Sequence, residues 1–364
     1  MKRTVWQRAC LVVIVLCLLT LPSTIAYADD TSFSKADIYI DDKPLNTPYT
    51  LRNEHLMVPF LFLKNTGLKV DWDKRNRAAM FSYGNLLIAL PEGKPYFEAY
   101  DKRTNSWKKH PLAAPAEELD GVTFVPLLEV AQIFGMKFSY DAKQTRTSIT
   151  TNIKPAAPPI LKGNTERKLV ALTFDDGPDE QYTPIILDIL KEKKVPATFF
   201  VLGKQVELLP DMTKRIVKEG HCIANHSWNH AKLPDVTSSE LVEEIVSTQK
   251  EIRKTTGVLT NLFRPPYGAL AKSDALLVQQ MGMKNVLWSV DTLDWSGLSA
   301  EDILAIVRRE ITPGGIILQH NFHSKEQRLD GSVEALPIII DELQEQGYQF
   351  VTIETMLGPE HPAR

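Results

Sequence analysis

The chain has 364 residues, of which 43% are hydrophobic and 24% are charged. This length allows two domains, and this composition is ordinary for a soluble globular protein, so disorder is not the expected state of the chain. The net charge is −3, and it becomes −6 when residues 1–28 are removed, because that segment holds three basic residues and no acidic one. This balance argues against nucleic acid or an anionic membrane surface as a partner.

The first 28 residues have the pattern of an export signal. Three basic residues precede an apolar run at 9–21, and Ala26-Tyr27-Ala28 is an A-x-A cleavage site. The apolar run is short for a membrane span. We therefore expect a secreted or cell-wall protein that is cleaved after Ala28, with a membrane as partner only if the signal stays uncleaved.

Residues 36–150 contain an internal repeat with a period of about 68 residues. The steps Val58-Pro59 and Val125-Pro126 are each followed by an apolar segment, then by Gly67 or Gly135, and then by an aromatic-Asp pair. Each copy predicts a strand, a helix that starts at proline and ends at glycine, and a second strand. The unit resembles the amine-oxidase N-terminal-like domain of many exported bacterial proteins. That resemblance implies a smaller α+β stalk that acts as a spacer or wall-facing module, without amine oxidation.

Residues 151–167 hold three prolines and no periodic pattern, which predicts a semi-rigid linker. From residue 168 to 360, short apolar runs alternate with amphipathic segments. We predict strands at 169–174, 197–202, 222–225, 261–264, 284–290, 315–319 and 348–353. We predict helices at 182–193, 211–219, 238–256, 271–281, 301–310 and 333–346. This alternation indicates a parallel barrel or a doubly wound sheet.

Candidate catalytic residues fall at the ends of these predicted strands. Two adjacent carboxylates, Asp175 and Asp176, end the first apolar run, and two histidines, His226 and His230, follow the third. One aspartate and two histidines can hold a metal ion that keeps an open position for water. The second carboxylate could take a proton from that water. Because loops at the carboxyl ends of barrel strands meet at one face, we expect a single hydrolytic site there.

Five motifs in order carry a closer resemblance. They are Thr-Phe-Asp-Asp at 173–176, His-Ser-Trp-Asn-His at 226–230, Arg-Pro-Pro-Tyr at 264–267, Asp-Thr-Leu-Asp-Trp at 291–295 and Leu-Gln-His at 318–320. Together they resemble the polysaccharide deacetylase family, that is, the NodB-homology domain or carbohydrate esterase family 4. The family fold is a distorted (β/α) barrel.

The resemblance implies a role for each matching residue. It makes Asp176, His226 and His230 the metal ligands, Asp175 the general base and His320 the general acid. It implies that the Tyr267 backbone N–H binds the oxyanion, that Arg264 orients Asp175 and that Asp291 partners His320. Trp295 and Leu318 would wall the pocket for the acetyl methyl group.

These residue types suit amide hydrolysis. A divalent metal can lower the pKa of water to about 7, and a metal with one backbone N–H can stabilise the oxyanion. A histidine held charged by a carboxylate can protonate the departing amine. We expect zinc, with cobalt, nickel or manganese as alternatives. The chain departs from the family pattern at one position: Asn321 follows His320 where many members of the family have aspartate.

The hypothesis is an exported N-deacetylase acting on N-acetylglucosamine-type residues of a glycan polymer, with peptidoglycan favoured over chitin. An O-acetyl esterase or a chitin-oligomer deacetylase would use the same site. A metal-dependent amidohydrolase of a small amide is also compatible with a barrel. The alternative of another class is a non-catalytic glycan-binding protein of the cell wall.

Overall fold

The computed structural model describes residues 33–322 and 328–358. The expected export signal at 1–28 lies outside the described residues, as does the end of the 168–360 segment. Within the described part of the chain, no helix combines the length and the apolar character needed to cross a membrane.

The N-terminal half is rich in strands. Its strands are β1 (Ser34–Ile40), β2 (Lys43–Arg52), β3 (His55–Pro59), β4 (Lys69–Asp73), β5 (Ala78–Tyr83), β6 (Leu86–Pro91), β7 (Tyr96–Asp101), β8 (Ser106–Pro111), β9 (Glu117–Leu119), β10 (Val122–Pro126), β11 (Lys137–Asp141) and β12 (Arg146–Thr150). They form a seven-stranded sheet in the order β11-β12-β1-β2-β3-β10-β9 and a five-stranded sheet in the order β4 to β8. Buried apolar side chains from both sheets, among them Val58, Phe81 and Val125, share one core with Leu63 of the segment Phe60–Thr66.

The predicted repeat corresponds to two similar strand-helix-strand units. In the second copy, the helix α1 (Leu127–Ile133) follows β10 and precedes Gly135. In the first copy, the segment Phe60–Thr66 is a 3-10 helix and not an α-helix. It ends at Gly67, whose φ of 96° is accessible to glycine at little cost.

Parallel strands and helices alternate in the C-terminal half. The strands are β13 (Leu169–Asp175), β14 (Thr198–Val201), β15 (Cys222–Asn225), β16 (Leu262–Phe263), β17 (Lys284–Asn285), β18 (Val290–Asp291), β19 (Gly315–His320) and β20 (Gln349–Phe350). The helices are α2 (Tyr182–Lys193), α3 (Gly203–Leu208), α4 (Pro210–Lys218), α5 (Ser238–Thr256), α6 (Lys272–Gln280), α7 (Ala300–Glu310), α8 (Asp330–Glu345) and α9 (Ile353–Leu357).

The parallel sheet has the order β17-β16-β15-β14-β13-β19-β18, and β20 also pairs with β13. Every residue of β13 is buried, as expected for a central strand covered on both faces. The sheet curves as a parallel half-barrel, and the distorted barrel predicted from the sequence is confirmed. One predicted strand, 284–290, is two short strands, because β17 pairs with β16 and β18 pairs with β19.

The segment 151–167, predicted as a linker, is extended and hydrogen-bonded to the C-terminal half. The Ala157 N–H donates to Gln279, the Ile160 N–H donates to the Asn285 carbonyl, and the Gly163 N–H donates to the Gly314 carbonyl. The proline-rich composition excluded helix here, and the free N–H groups are satisfied by neighbouring elements.

Candidate active site

The site lies at the carboxyl ends of the parallel strands. Asp175 and His320 are the last residues of β13 and β19, and they are register partners across that pair of strands. Asp291 ends β18 opposite Leu318. His226 and Arg264 directly follow β15 and β16. The parallel sheet therefore brings together residues that lie far apart in the sequence.

Asp176, His226 and His230 form a group suited to a metal ion. Their ligand atoms all lie within 4.8 Å of one another. Asp176 Oδ1 is 3.3 Å from the Nε2 atoms of both histidines. This carboxylate oxygen is buried and has no hydrogen-bond partner of good geometry among the described residues. A buried oxygen aimed at two imidazole nitrogens fits a divalent cation, which needs an anionic ligand together with neutral nitrogen ligands.

The two histidines are held differently. His226 is buried, and its Nδ1 lies 2.7 Å from the Arg264 carbonyl oxygen, so Nδ1 carries the proton and Nε2 is free to bind a metal. Burial opposes charge on His226, but Asp175 and Asp176 outweigh it and raise its pKa. His230 is partly exposed, and burial lowers its pKa despite the attraction of Asp176. Burial disfavours the charge on Asp176, but the nearby His226 outweighs it and lowers the Asp176 pKa.

Asp175 is paired with a fully buried arginine. Arg264 Nη1 lies 2.7 Å from Asp175 Oδ1 and 2.9 Å from the Thr173 hydroxyl. Arg264 Nε donates to the Val286 carbonyl, and Nη2 donates to the Leu287 carbonyl. Each of the three guanidinium nitrogens thus donates at least one hydrogen bond, which offsets part of the cost of burying the charge. The expected contact between Arg264 and Asp175 is present.

The expected pairing of Asp291 with His320 is wrong. His320 Nδ1 lies 2.7 Å from Asp294 Oδ1, and the His320 backbone N–H donates to Asp294 Oδ2. Asp291 instead accepts the Leu293 N–H and adds negative charge near Arg264. The reason is the turn after β18, in which a 3-10 helix at Asp294–Ser296 places the Asp294 carboxylate next to His320 at the end of β19. Burial works against charge on His320, but Asp294 outweighs it and raises the His320 pKa to about 9.

Tyr267 lies beside the metal group. Its ring meets the His230 ring edge-on with centroids 4.6 Å apart. The backbone at Tyr267 has a φ of 58°, and within the described residues no acceptor is found for its N–H. A free backbone N–H at the cleft is what an oxyanion donor requires.

A cleft of about 760 Å³ joins these residues. Its wall includes every residue to which the family resemblance gave a role except Arg264, which is buried behind Asp175. Leu318 is buried, whereas Trp295 is 44% exposed at the rim. Further lining residues, not predicted from the sequence, include Lys204, Gln205 and Phe322. Lys204 and Gln205 lie on α3, a helix that the apolar pattern did not predict.

Unusual backbone conformations cluster around the cleft. Asp176, Ser227, His230, Tyr267 and Leu293 all have φ between 54° and 76°. Non-glycine residues rarely adopt this region, and such strain is concentrated at functional sites.

Asn321 has a structural position. It is fully buried, its side-chain oxygen accepts the Gly177 N–H, and its amide donates to the Thr183 hydroxyl. A Cβ at Gly177 would come within 2.2 Å of the Asn321 amide, so Gly177 is needed for this close approach. The neutral amide therefore ties the turn after Asp176 to β19.

Two models of known families match the chain. The model described as polysaccharide deacetylase matches residues 162–286, and the model described as copper amine oxidase N-terminal domain matches residues 33–149. A peptidoglycan-N-acetylglucosamine deacetylase of Bacillus cereus is 37% identical over 237 residues, which cover 65% of this chain and 85% of that protein. The chain belongs to the polysaccharide deacetylase family. It is accordingly a hydrolase of the deacetylase type.

A second relative and two solved structures are also similar to this chain. The deacetylase PgdA of Listeria monocytogenes is 39% identical over 201 residues, and the chain spans only 41% of its length. A crystal structure of a peptidoglycan N-acetylglucosamine deacetylase superposes with a TM-score of 0.54 at 40% identity, covering 55% of this chain and 93% of that one. A pseudoenzyme of carbohydrate esterase family 4 from Bacillus anthracis superposes with a TM-score of 0.52 at 30% identity, covering 60% and 77%.

Proposed function

We propose that this protein is an exported, metal-dependent N-deacetylase of a glycan polymer, with peptidoglycan as the favoured substrate. One observation carries the proposal. The Asp176, His226 and His230 group shares a single cleft with the Arg264-paired Asp175 and the Asp294-paired His320.

Each side chain supports one part of amide hydrolysis. Asp175, held by the Arg264 guanidinium, accepts a proton from the attacking water. When bound by Asp176, His226 and His230, a divalent metal supplies Lewis-acid activation of that water. The free N–H of Tyr267 donates to the oxygen of the amide as it becomes negative. His320 stays protonated near neutral pH because of Asp294, and it donates its proton to the leaving amine.

Zinc is the proposed metal, since two imidazole nitrogens and one carboxylate match its common ligands. Cobalt, nickel and manganese accept the same donors and are the alternatives. The walls of Leu318 and Trp295 suit a small acetyl methyl group beside the reacting carbonyl.

The substrate and location rest on the relatives and on the sequence. The relatives from Bacillus cereus and Listeria monocytogenes are named for peptidoglycan N-acetylglucosamine, and one from Bacillus subtilis is named for N-acetylmuramic acid. The export signal expected at residues 1–28 would deliver the protein to the cell wall, where this polymer lies. Chitin oligomers remain the second substrate, and an O-acetyl ester would react by the same chemistry.

The alternative function is non-catalytic binding to glycan of the cell wall. A precedent exists, because the family includes a pseudoenzyme. The complete set of ligands, base, acid and supporting charges favours catalysis, because glycan binding alone requires neither a buried Arg264–Asp175 pair nor the Asp294–His320 pair.

The decisive test is acetate release by purified residues 29–364 from peptidoglycan and, separately, from chitin oligomers. We expect acetate and a new free amine, loss of both with a chelator, and recovery with added zinc. A new hydroxyl group instead of an amine would indicate the esterase. No acetate from any acetylated glycan would overturn the proposal.

A further inference from the structure

A fully buried lysine links the two halves of the chain. Lys64 lies in the 3-10 helix of the N-terminal half, and its side chain is 0% exposed. Its ammonium lies 2.9 Å from Asp274 Oδ1 of α6, and the Asp274 carboxylate is also 0% exposed. It donates to the Leu233 carbonyl at 2.6 Å and the Val236 carbonyl at 2.7 Å. The buried ammonium is thus held by two hydrogen bonds to backbone carbonyls and by one ion pair.

The two carbonyls belong to the loop that carries a metal ligand. Leu233 and Val236 follow His230 by three and six residues, in the segment that leads from His230 to α5. Two more hydrogen bonds hold the start of α5 to strand β4 of the N-terminal half. The Val70 N–H donates to the Ser238 hydroxyl, and the Ser239 N–H donates to Asp71.

The front of the same loop is held within the C-terminal half. The N–H groups of Trp228 and Asn229 donate to Glu244, and the His230 N–H donates to the Ser227 hydroxyl. His230 itself has a φ of 65°. A backbone held in this region must be fixed from both sides, because relaxation to a more common conformation would move the imidazole.

His230 depends on the loop more than His226 does. The His226 ring is oriented by the Arg264 carbonyl. Within the described ranges, no protein group forms a hydrogen bond with Nδ1 of His230. The His230 ring instead packs edge-on against the Tyr267 ring. Its position is therefore set mainly by the backbone from Ser227 to Val236.

We propose that Lys64 is a positioning residue of the metal centre, so that the N-terminal half is part of the catalytic unit and not only a spacer. Lys64 fixes the loop behind His230 and thereby holds that imidazole where Asp176 and His226 require it. This inference rests on the proposed function in one respect, since it takes these three residues to bind a metal.

The test compares two lysines that both join the halves of the chain. Lys272 binds Asp41 at 2.6 Å and the Thr151 hydroxyl at 2.7 Å, and it has no hydrogen bond or ion pair with the described residues of the loop from 226 to 237. Lys64→Met should weaken zinc binding by about tenfold. This is the lower end of the loss in metal affinity that follows when a residue supporting a metal ligand is replaced. Lys272→Met should bind zinc as the parent does. Zinc affinity is measured by competition with a chromophoric chelator on metal-free full chain.

A second variant separates positioning from stability. Lys64→Met leaves Asp274 buried without its partner, which lowers stability by itself. The double variant Lys64→Met/Asp274→Asn removes that charge, and the Asn oxygen can still accept the Ala271 N–H that Asp274 now accepts. We expect the double variant to recover thermal stability but to retain the weakened zinc binding. If Lys64→Met folds poorly, the double variant alone carries the comparison.

Parent-like zinc affinity in either Lys64 variant would overturn the inference, as would equal weakening by Lys272→Met. A parent that binds zinc through His230 but releases no acetate would contradict the proposed function and leave the inference standing. A parent that binds no zinc would overturn both.

Discussion

His320 Nδ1 lies 2.7 Å from Asp294 Oδ1, and the other oxygen of Asp294 accepts both the His320 backbone N–H and the Ser332 hydroxyl. The carboxylate is fully buried, so its charge acts on the imidazole with little screening. This pair determines when His320 carries the proton that it would donate.

Asp294→Asn should lower the His320 pKa from about 9. A general acid must be protonated, so activity falls as pH rises through this pKa. The alkaline limb of the kcat profile should therefore move to lower pH, and kcat should fall by about a hundredfold at pH 8. Asp291→Asn is the matched comparison, because no hydrogen bond or ion pair joins Asp291 to His320. It should leave the alkaline limb in place, and a shift with Asp291→Asn but not with Asp294→Asn would restore the pairing expected from the sequence.

Zinc should stabilise the fold through the Asp176, His226 and His230 group. A ligand at about one hundred times its Kd adds about 2.7 kcal/mol to the free energy of unfolding. Differential scanning fluorimetry should show a higher Tm for the parent with zinc, and little change for His226→Ala. His221→Ala is the control, since the His221 Nδ1 accepts the Ala197 N–H away from this group and burial lowers its pKa to about 4. An equal rise in Tm for parent and His226→Ala would locate zinc elsewhere.

Arg264→Met should destabilise the protein by about 3–5 kcal/mol, because it leaves the buried Asp175 carboxylate without its partner. Arg308→Met is the control, since the Arg308–Glu342 pair lies on the surface, where ion pairs contribute little. Urea unfolding followed by circular dichroism measures both. Equal losses in the free energy of unfolding would show that the buried pair stabilises the protein no more than the surface pair does.

Gln319→Leu should stabilise the protein by about 1–3 kcal/mol. Gln319 is 0% exposed in β19, and among the described residues neither its side-chain oxygen nor its nitrogen has a hydrogen-bond partner. Leucine removes this cost with a similar volume. Gln344→Leu on the exposed face of α8 should give no such gain in the free energy of urea unfolding. Destabilisation by Gln319→Leu would mean that the amide is satisfied in solution.

Much of the C-terminal fold follows from the sequence, because its strands are apolar runs and its helices are amphipathic. The predicted helices at 182–193 and 238–256 coincide with α2 and α5. Strand ends also located Asp175, Asp176, His226 and Arg264, since parallel strands align their carboxyl ends. The short α3 has too few residues to show a period.

Contacts made by loops or across the chain could not be predicted in this way. Asp291 and Asp294 are three residues apart in a turn, and only its backbone path decides which carboxylate reaches His320. Lys64 and Leu233 are separated by 169 residues in the sequence. Nothing in the local pattern of either segment indicates their hydrogen bond.

The most direct test of catalysis is Asp175→Asn, examined for acetate release from peptidoglycan and for zinc affinity on the same preparation. Asparagine keeps the shape of the side chain but cannot accept the proton from water. We predict that acetate release is lost while zinc binding stays close to that of the parent, because the proposed metal ligands are Asp176, His226 and His230. Acetate release equal to that of the parent would contradict the account.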